Sequence, residues 1–372
     1  MTYSGPVIDA DVHHNWKSAR DIVERLPRRW RDYAMGPGKN GALPISPTPR
    51  GIQHPGGTNK RLDTFPACGG PPASDYETLR AQLLEAHNVE RCVLVFENEL
   101  MPAIDNPYFA HALIEAAHDW NRDTWLSEND DRLYSVVMVP TQLPEKAAGE
   151  IRRVGRNPKI VAALLSFNGL HRPYGDPMYR PIFEAAQELD LPVVMHATGA
   201  EGYGGVLPSN AGGRAVTRLE GHTLLHMSTI QHVTSLVLGG VFEQFPRLKF
   251  VAIEAGTAWL PWLAWKLDAH YDILRRESEW VKRPPSEYLR EHVLLTTQPL
   301  EMSPEPEQLQ QLYEAFGGMD DLLCFATDYP HWDADTSGFI RRRLPPDWHR
   351  KVFYENALGA FRWSRKAALT TG

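Results

Sequence analysis

The stretch "VIDADVHH", Val7–His14, sets two carboxylates and two imidazoles at the end of an apolar run. Read as a strand, its side chains alternate with period two, so Asp9, Asp11 and His13 share one face and His14 takes the other. Acidic groups and an imidazole facing a sheet interior are costly unless something pairs with them. A cation does this, because carboxylate oxygen and imidazole nitrogen suit zinc, manganese or iron. The competing reading is an N-terminal strand whose Asp residues cap a nearby helix or turn.

Seven further short apolar runs follow: RCVLVF near 91, LYSVVMVP near 133, IVAALLSF near 160, LPVVMHA near 191, LKFVAIEAG near 248, HVLLTTQP near 292 and LLCFATDYP near 322. Helical patterns lie between them, among them 76–87, 109–128, 178–190, 223–245, 257–276 and 304–317. Eight strand–helix repeats predict an α/β fold, a deformed (β/α)8 TIM barrel formed by residues 1–372 as one domain. A doubly wound sheet would want a Gly-rich first turn, which "DADVHHNW" is not. The chain of 372 residues suits a barrel with insertions.

One insertion follows the first strand. Of the 41 residues 34–74, 16 are Gly or Pro, which predicts an arm or lid over the barrel mouth or across a partner subunit, against a loop of no function. The glycine-rich 199–213 lacks the ending of a phosphate loop and reads as a second lid.

With 42% hydrophobic and 23% charged residues the composition is that of a globular protein. A net charge of −7 argues against a nucleic-acid partner, and Arg341–Arg343 reads as a solvated face. Three cysteines, Cys68, Cys92 and Cys324, give neither a disulfide framework nor a metal knuckle. With no signal peptide and no membrane-spanning run in view, the expected setting is the cytoplasm, with no membrane partner.

In a barrel of this kind the strand C-termini converge on one face. They carry Asp11 and His13 on the first strand, His196 on the fifth, Glu254 on the sixth, and Asp328 with His331 on the eighth. Singly, such a His is often a core residue, such an Asp a turn former and such a Glu a helix cap. Together, on four strands of one barrel, they predict a shared metal site.

At this point the chain resembles the amidohydrolase superfamily, in the branch of aminocarboxymuconate semialdehyde decarboxylase and related "amidohydrolase 2" enzymes. The likeness rests also on "GVFEQFPRLKFVAIEAGTAWLPWLAWKLD" (240–268), "TTQPLE" (296–301), "TDYPHWD" (327–333) and "FYENALGAF" (353–361), and runs from residue 7 to about 363. It implies one divalent metal, zinc or alternatively manganese, held by Asp11, His13, His196 and Asp328. It also implies a homodimer. The family's first-strand His-x-His reads Asp11-Val12-His13 here, and the catalytic His that many members carry after strand six is Glu254.

That second departure favours a metal-dependent hydrolase acting on a small aromatic or conjugated ester, amide, lactone or activated ketone through metal-bound hydroxide. Asp328 would move the proton, Glu254 would orient water or carry a second proton, and His331 would steady the oxyanion. The alternative is non-oxidative decarboxylation of an aromatic or muconate-like acid. A third reading is a catalytically silent barrel that binds a ligand. Trp16, Phe167, Asn168, Gln298 and Trp332 are the expected substrate contacts. His222, His226 and His232 read as structural.

Overall fold

The computed structural model describes residues 3–34, 59–97, 101–104, 106–165, 172–196, 217–301, 303 and 305–363. Eight strands run in chain order: β1 Val7–His14, β2 Val89–Phe96, β3 Leu133–Met138, β4 Ile160–Leu165, β5 Val193–His196, β6 Phe250–Ile253, β7 Val293–Thr296 and β8 Leu323–Cys324. Each pairs in parallel with the next, in the order β1 to β8. Apart from Glu90 in β2, every strand residue is buried. Strands covered on both faces explain why they read as continuous apolar runs instead of alternating ones.

The seam between β8 and β1 closes the barrel irregularly. Ala10 N donates to Phe325 O at 3.0 Å, Asp328 N to Asp11 O at 3.1 Å and His13 N to Tyr329 O at 2.8 Å. A register shift between Asp9 and Val12 opposite β2 interrupts the regular alternation of β1. Asp9 accepts from Thr327 N at 3.0 Å and from Thr327 Oγ1 at 2.7 Å, so it pins the far side of the seam. Asp11 and His13 remain with the strand-end cluster.

Helices cover the sheet where the periodicity places them, including Pro107–Thr124, Arg180–Glu188, Trp259–Leu274 and Pro306–Phe316. The single helix predicted over 223–245 is instead several pieces, among them Met227–Leu238 and Val241–Gln244. They break at Gly239–Gly240, where Gly240 takes φ 70°. In the "WLPWLAW" helix Trp259 is buried, whereas Trp262 and Trp265 are exposed. Asn59 to Arg61, from the Gly/Pro-rich segment, lie along the loop after β8. Lys60 bridges His331 in antiparallel fashion, Trp332 N donates to Asn59 O and Arg61 N to Pro330 O. Residues 35–58 and the predicted lid at 199–213 lie outside the described residues. Among the described residues no helix is long and apolar enough to cross a membrane.

Candidate metal centre

Asp11 and His13 from β1, His196 closing β5 and Asp328 beyond β8 converge at the C-terminal end of the barrel. One ligand atom from each lies within 4.8 Å of all the others. His13 Nε2 is 3.0 Å from Asp328 Oδ1 and 3.7 Å from Asp11 Oδ1, and His196 Nε2 is 3.7 Å from Asp11 Oδ2. All four side chains are at most 1% exposed. Among the described residues, neither oxygen of Asp11, neither ring nitrogen of His13, nor Asp328 Oδ2 has a hydrogen-bond partner. A carboxylate taken out of water with no hydrogen-bond donor is strongly penalised.

The electrostatics agree. Burial, then the charges of Glu254 and Asp11, push the Asp328 carboxyl well above the usual carboxylate range. Burial, then the cationic form of His331, push His13 well below the usual imidazole range. Two carboxylates and two imidazoles, buried together at the end of one barrel, fit a divalent cation, whose charge offsets both penalties.

Around this cluster stands a polar rim. Glu254, at φ 50°, lies 3.5 Å from His196, and its backbone N donates to Thr296 Oγ1 at 3.1 Å. Asp328 takes φ 58°. Left-handed backbone at two non-glycine strand ends is uncommon, and it gathers at functional sites. His331 Nδ1 donates to Asp328 Oδ1. Gln298 is fully buried, and its amide donates to Asp333 O at 3.3 Å. Trp332 is 52% exposed, with its ring 5.5 Å from that of His222. Trp16 is buried edge-on against Trp120, on the helix side of β1. Phe167 and Asn168 lie outside the described residues.

Four rim residues are not among the site residues expected from the sequence. Glu97 follows β2 and places Oε2 3.6 Å from His13 Nδ1, while Oε1 meets buried Lys60 at 2.7 Å. His222 Nε2 and Asp333 Oδ2 are 2.9 Å apart, and both residues offer atoms within 4.8 Å of Glu254. Reading the C-terminal end of β2 as the other strands were read finds Glu97. Lys60 sits in a loop and His222 in a helical pattern, where no periodicity marks a site.

The sequence profile of the family described as Amidohydrolase matches residues 8–363. The chain belongs to the amidohydrolase family. A gamma-resorcylate decarboxylase of Polaromonas sp. (strain JS666) is 25% identical over 308 residues, covering 78% of this chain and 89% of the relative. Among solved structures, a dihydroxybenzoic acid decarboxylase from Polaromonas sp. JS666, with bound manganese and the inhibitor 2-nitroresorcinol, superposes with a TM-score of 0.64. It is 18% identical, over 98% of this chain and 99% of that one. The 5-carboxyvanillate decarboxylase from Sphingomonas paucimobilis gives a TM-score of 0.65 at 20% identity, over 97% and 100%. These relatives overturn the expectation of a hydrolase. The replacement of a strand-six His by Glu254 weighed towards hydrolysis, but an imidazole is not the only group that can carry a proton at that rim. The chain is an enzyme of the amidohydrolase family, and the curated relatives it matches over most of their length are named decarboxylases.

Proposed function

We propose that the protein is a metal-dependent, non-oxidative decarboxylase of a hydroxylated aromatic acid. The observation that carries this reading is the buried set Asp11, His13, His196 and Asp328, whose ligand-type oxygens and nitrogens lie within 4.8 Å of one another and fit a divalent ion. The Polaromonas relatives, named for gamma-resorcylate and dihydroxybenzoic acid, support the substrate class. Asp11, His13, His196 and Asp328 would hold the ion, manganese or zinc. Bound there, it supplies positive charge that draws an anionic hydroxy acid to the barrel mouth and steadies charge on its oxygens.

The remaining work falls to the chain. Asp328 and His331 share a proton across their hydrogen bond, in a site dry enough to keep it there. That proton adds to the ring carbon bearing the carboxylate, using a pair of ring π electrons. The bond to the carboxyl carbon then breaks, its electron pair restores the aromatic ring, and CO2 leaves. Glu254, beside His196, keeps the rim acidic and disfavours loss of the proton from Asp328. Trp332 offers an exposed aromatic face to a flat ring.

The test is CO2 release from 2,6-dihydroxybenzoate and 5-carboxyvanillate by protein loaded with manganese or zinc, set beside hydrolysis of aromatic esters and lactones. Release of CO2 that chelation stops is the expected result. Ester or lactone turnover without CO2 release sinks the proposal.

A further inference from the structure

His222 has no part in the cage and was read from sequence as structural, yet it stands on the rim. It lies on the short helix Arg218–Thr223, and its Nε2 is 2.9 Å from Asp333 Oδ2. A carboxylate only accepts, so Nε2 carries the hydrogen and donates it. That fixes the tautomer. In the neutral ring Nδ1 is then an acceptor, and it makes no hydrogen bond to the described residues.

Asp333 is itself held in place. Gln298, fully buried, donates its amide to the Asp333 carbonyl, and Asp333 is only 15% exposed at its side chain. The His222 ring lies 5.5 Å from the exposed Trp332 ring. A ring nitrogen of His222 is within 4.8 Å of the Glu254 carboxylate, which reaches to 3.5 Å from His196 in the cage. An aromatic face, an acceptor of fixed tautomer and the cage are thus near neighbours on one rim. His13 and His196 belong to the cage, and His331 is bonded to Asp328. His222 is thus a rim imidazole outside the cage whose acceptor can meet a ligand.

We infer that His222, oriented by Asp333, accepts a hydrogen bond from a ring hydroxyl of the substrate and selects acids that carry one beyond the hydroxyl beside the cage. This rests on the decarboxylase reading for its substrate class, but it concerns binding and can be read without turnover. A carboxylate-held imidazole is a strong acceptor, and an acid without the second hydroxyl leaves it unmatched.

The experiment compares 2,6-dihydroxybenzoate with 2-hydroxybenzoate on the manganese-loaded protein, by titration calorimetry and by CO2 release. The expected wild-type preference for the dihydroxy acid is ~10- to 100-fold in Kd and in kcat/KM. His222→Phe brings the ratio close to one at unchanged manganese content and melting temperature. His222→Gln, which keeps an acceptor, retains part of it, and Asp333→Asn lowers it. Equal weakening of both acids by His222→Phe, or a ratio that every variant preserves, overturns the inference, as does a wild type that binds the two acids alike. If His222→Phe does not fold, the same ratio in His222→Gln decides the matter. A wild type that shows the His222-dependent preference in binding but releases no CO2 keeps the inference and removes the decarboxylase reading.

Discussion

In the proposed reaction, Asp328 concentrates the chemistry in one side chain. It is fully buried, adopts left-handed backbone, is bonded to His331 and lies 3.0 Å from His13. Burial and the neighbouring carboxylates favour its protonated form, whereas a cation in the cage favours the ionised one. A group balanced between the two is suited to moving a proton. Asp328→Asn keeps the shape and an oxygen donor but has no acidic proton to give. We expect kcat to fall ~10²- to 10⁴-fold while most of the metal stays bound. Metal content and turnover of one preparation check this, and near wild-type turnover removes Asp328 from the reaction. The residue was legible because it ends an apolar strand beside three others that do the same. Its departure from extended backbone was not, since φ depends on how the chain leaves β8.

At the scale of elements, strands were legible and the rim was not. Parallel strands buried on both faces leave an uninterrupted apolar run, and the ends of β1, β5 and β8 then offer candidate ligands. The rim is assembled from Lys60, Glu97, His222 and Asp333, on connections whose sequence carries no period. Helices show the same contrast. Pro107–Thr124 follows from its apolar stripe, but the polar link it makes with the helix Pro144–Val154 does not. There, Met138 N donates to His118 Nε2 at 2.9 Å, so His118 Nδ1 carries the hydrogen and donates to Glu150 Oε1 at 2.6 Å. Arg153 donates to the same carboxylate. Burial alone pushes Glu150 up, but the bonds from Arg153 and His118 outweigh it and hold the carboxyl at about 2, against 4.5 ordinarily. The folded state therefore gains stability from Glu150 at and above pH 4.5, on the order of 3 kcal/mol, and loses it as pH falls from there through 2. Glu150→Gln gives up most of this at neutral pH and has the flatter stability profile between pH 4.5 and 2. Urea unfolding across that range checks the prediction. Parallel profiles for the two proteins contradict it.

For the molecule as a whole, the cage and the closure of the barrel are one structure. β1 and β8 stand at opposite ends of the sequence, and β8 has only two residues in regular pairing. The seam relies on isolated bonds from Ala10, His13 and Asp328, and on Asp9 holding Thr327. Asp11 and His13 lie on one side of it and Asp328 on the other, so a cation held by all of them ties the first strand to the last. Without the cation, two buried carboxyl groups face one another across the weakest join in the sheet. Ligand binding to the folded state alone adds about 4 kcal/mol at a thousandfold excess over Kd, so chelation should lower Tm by several degrees. The more telling expectation is where the loss falls. Amide hydrogens that cross the seam, those of Ala10, His13 and Asp328, should lose exchange protection on chelation. Those of the β3–β4 and β4–β5 ladders, such as Val139 and Ala163, should keep it, because regular backbone pairing holds them independently of the cage. Hydrogen exchange on metal-loaded and chelated protein separates the two groups. A uniform loss, or none at the seam, would mean that the cation contributes to the reaction and not to the closing of the barrel.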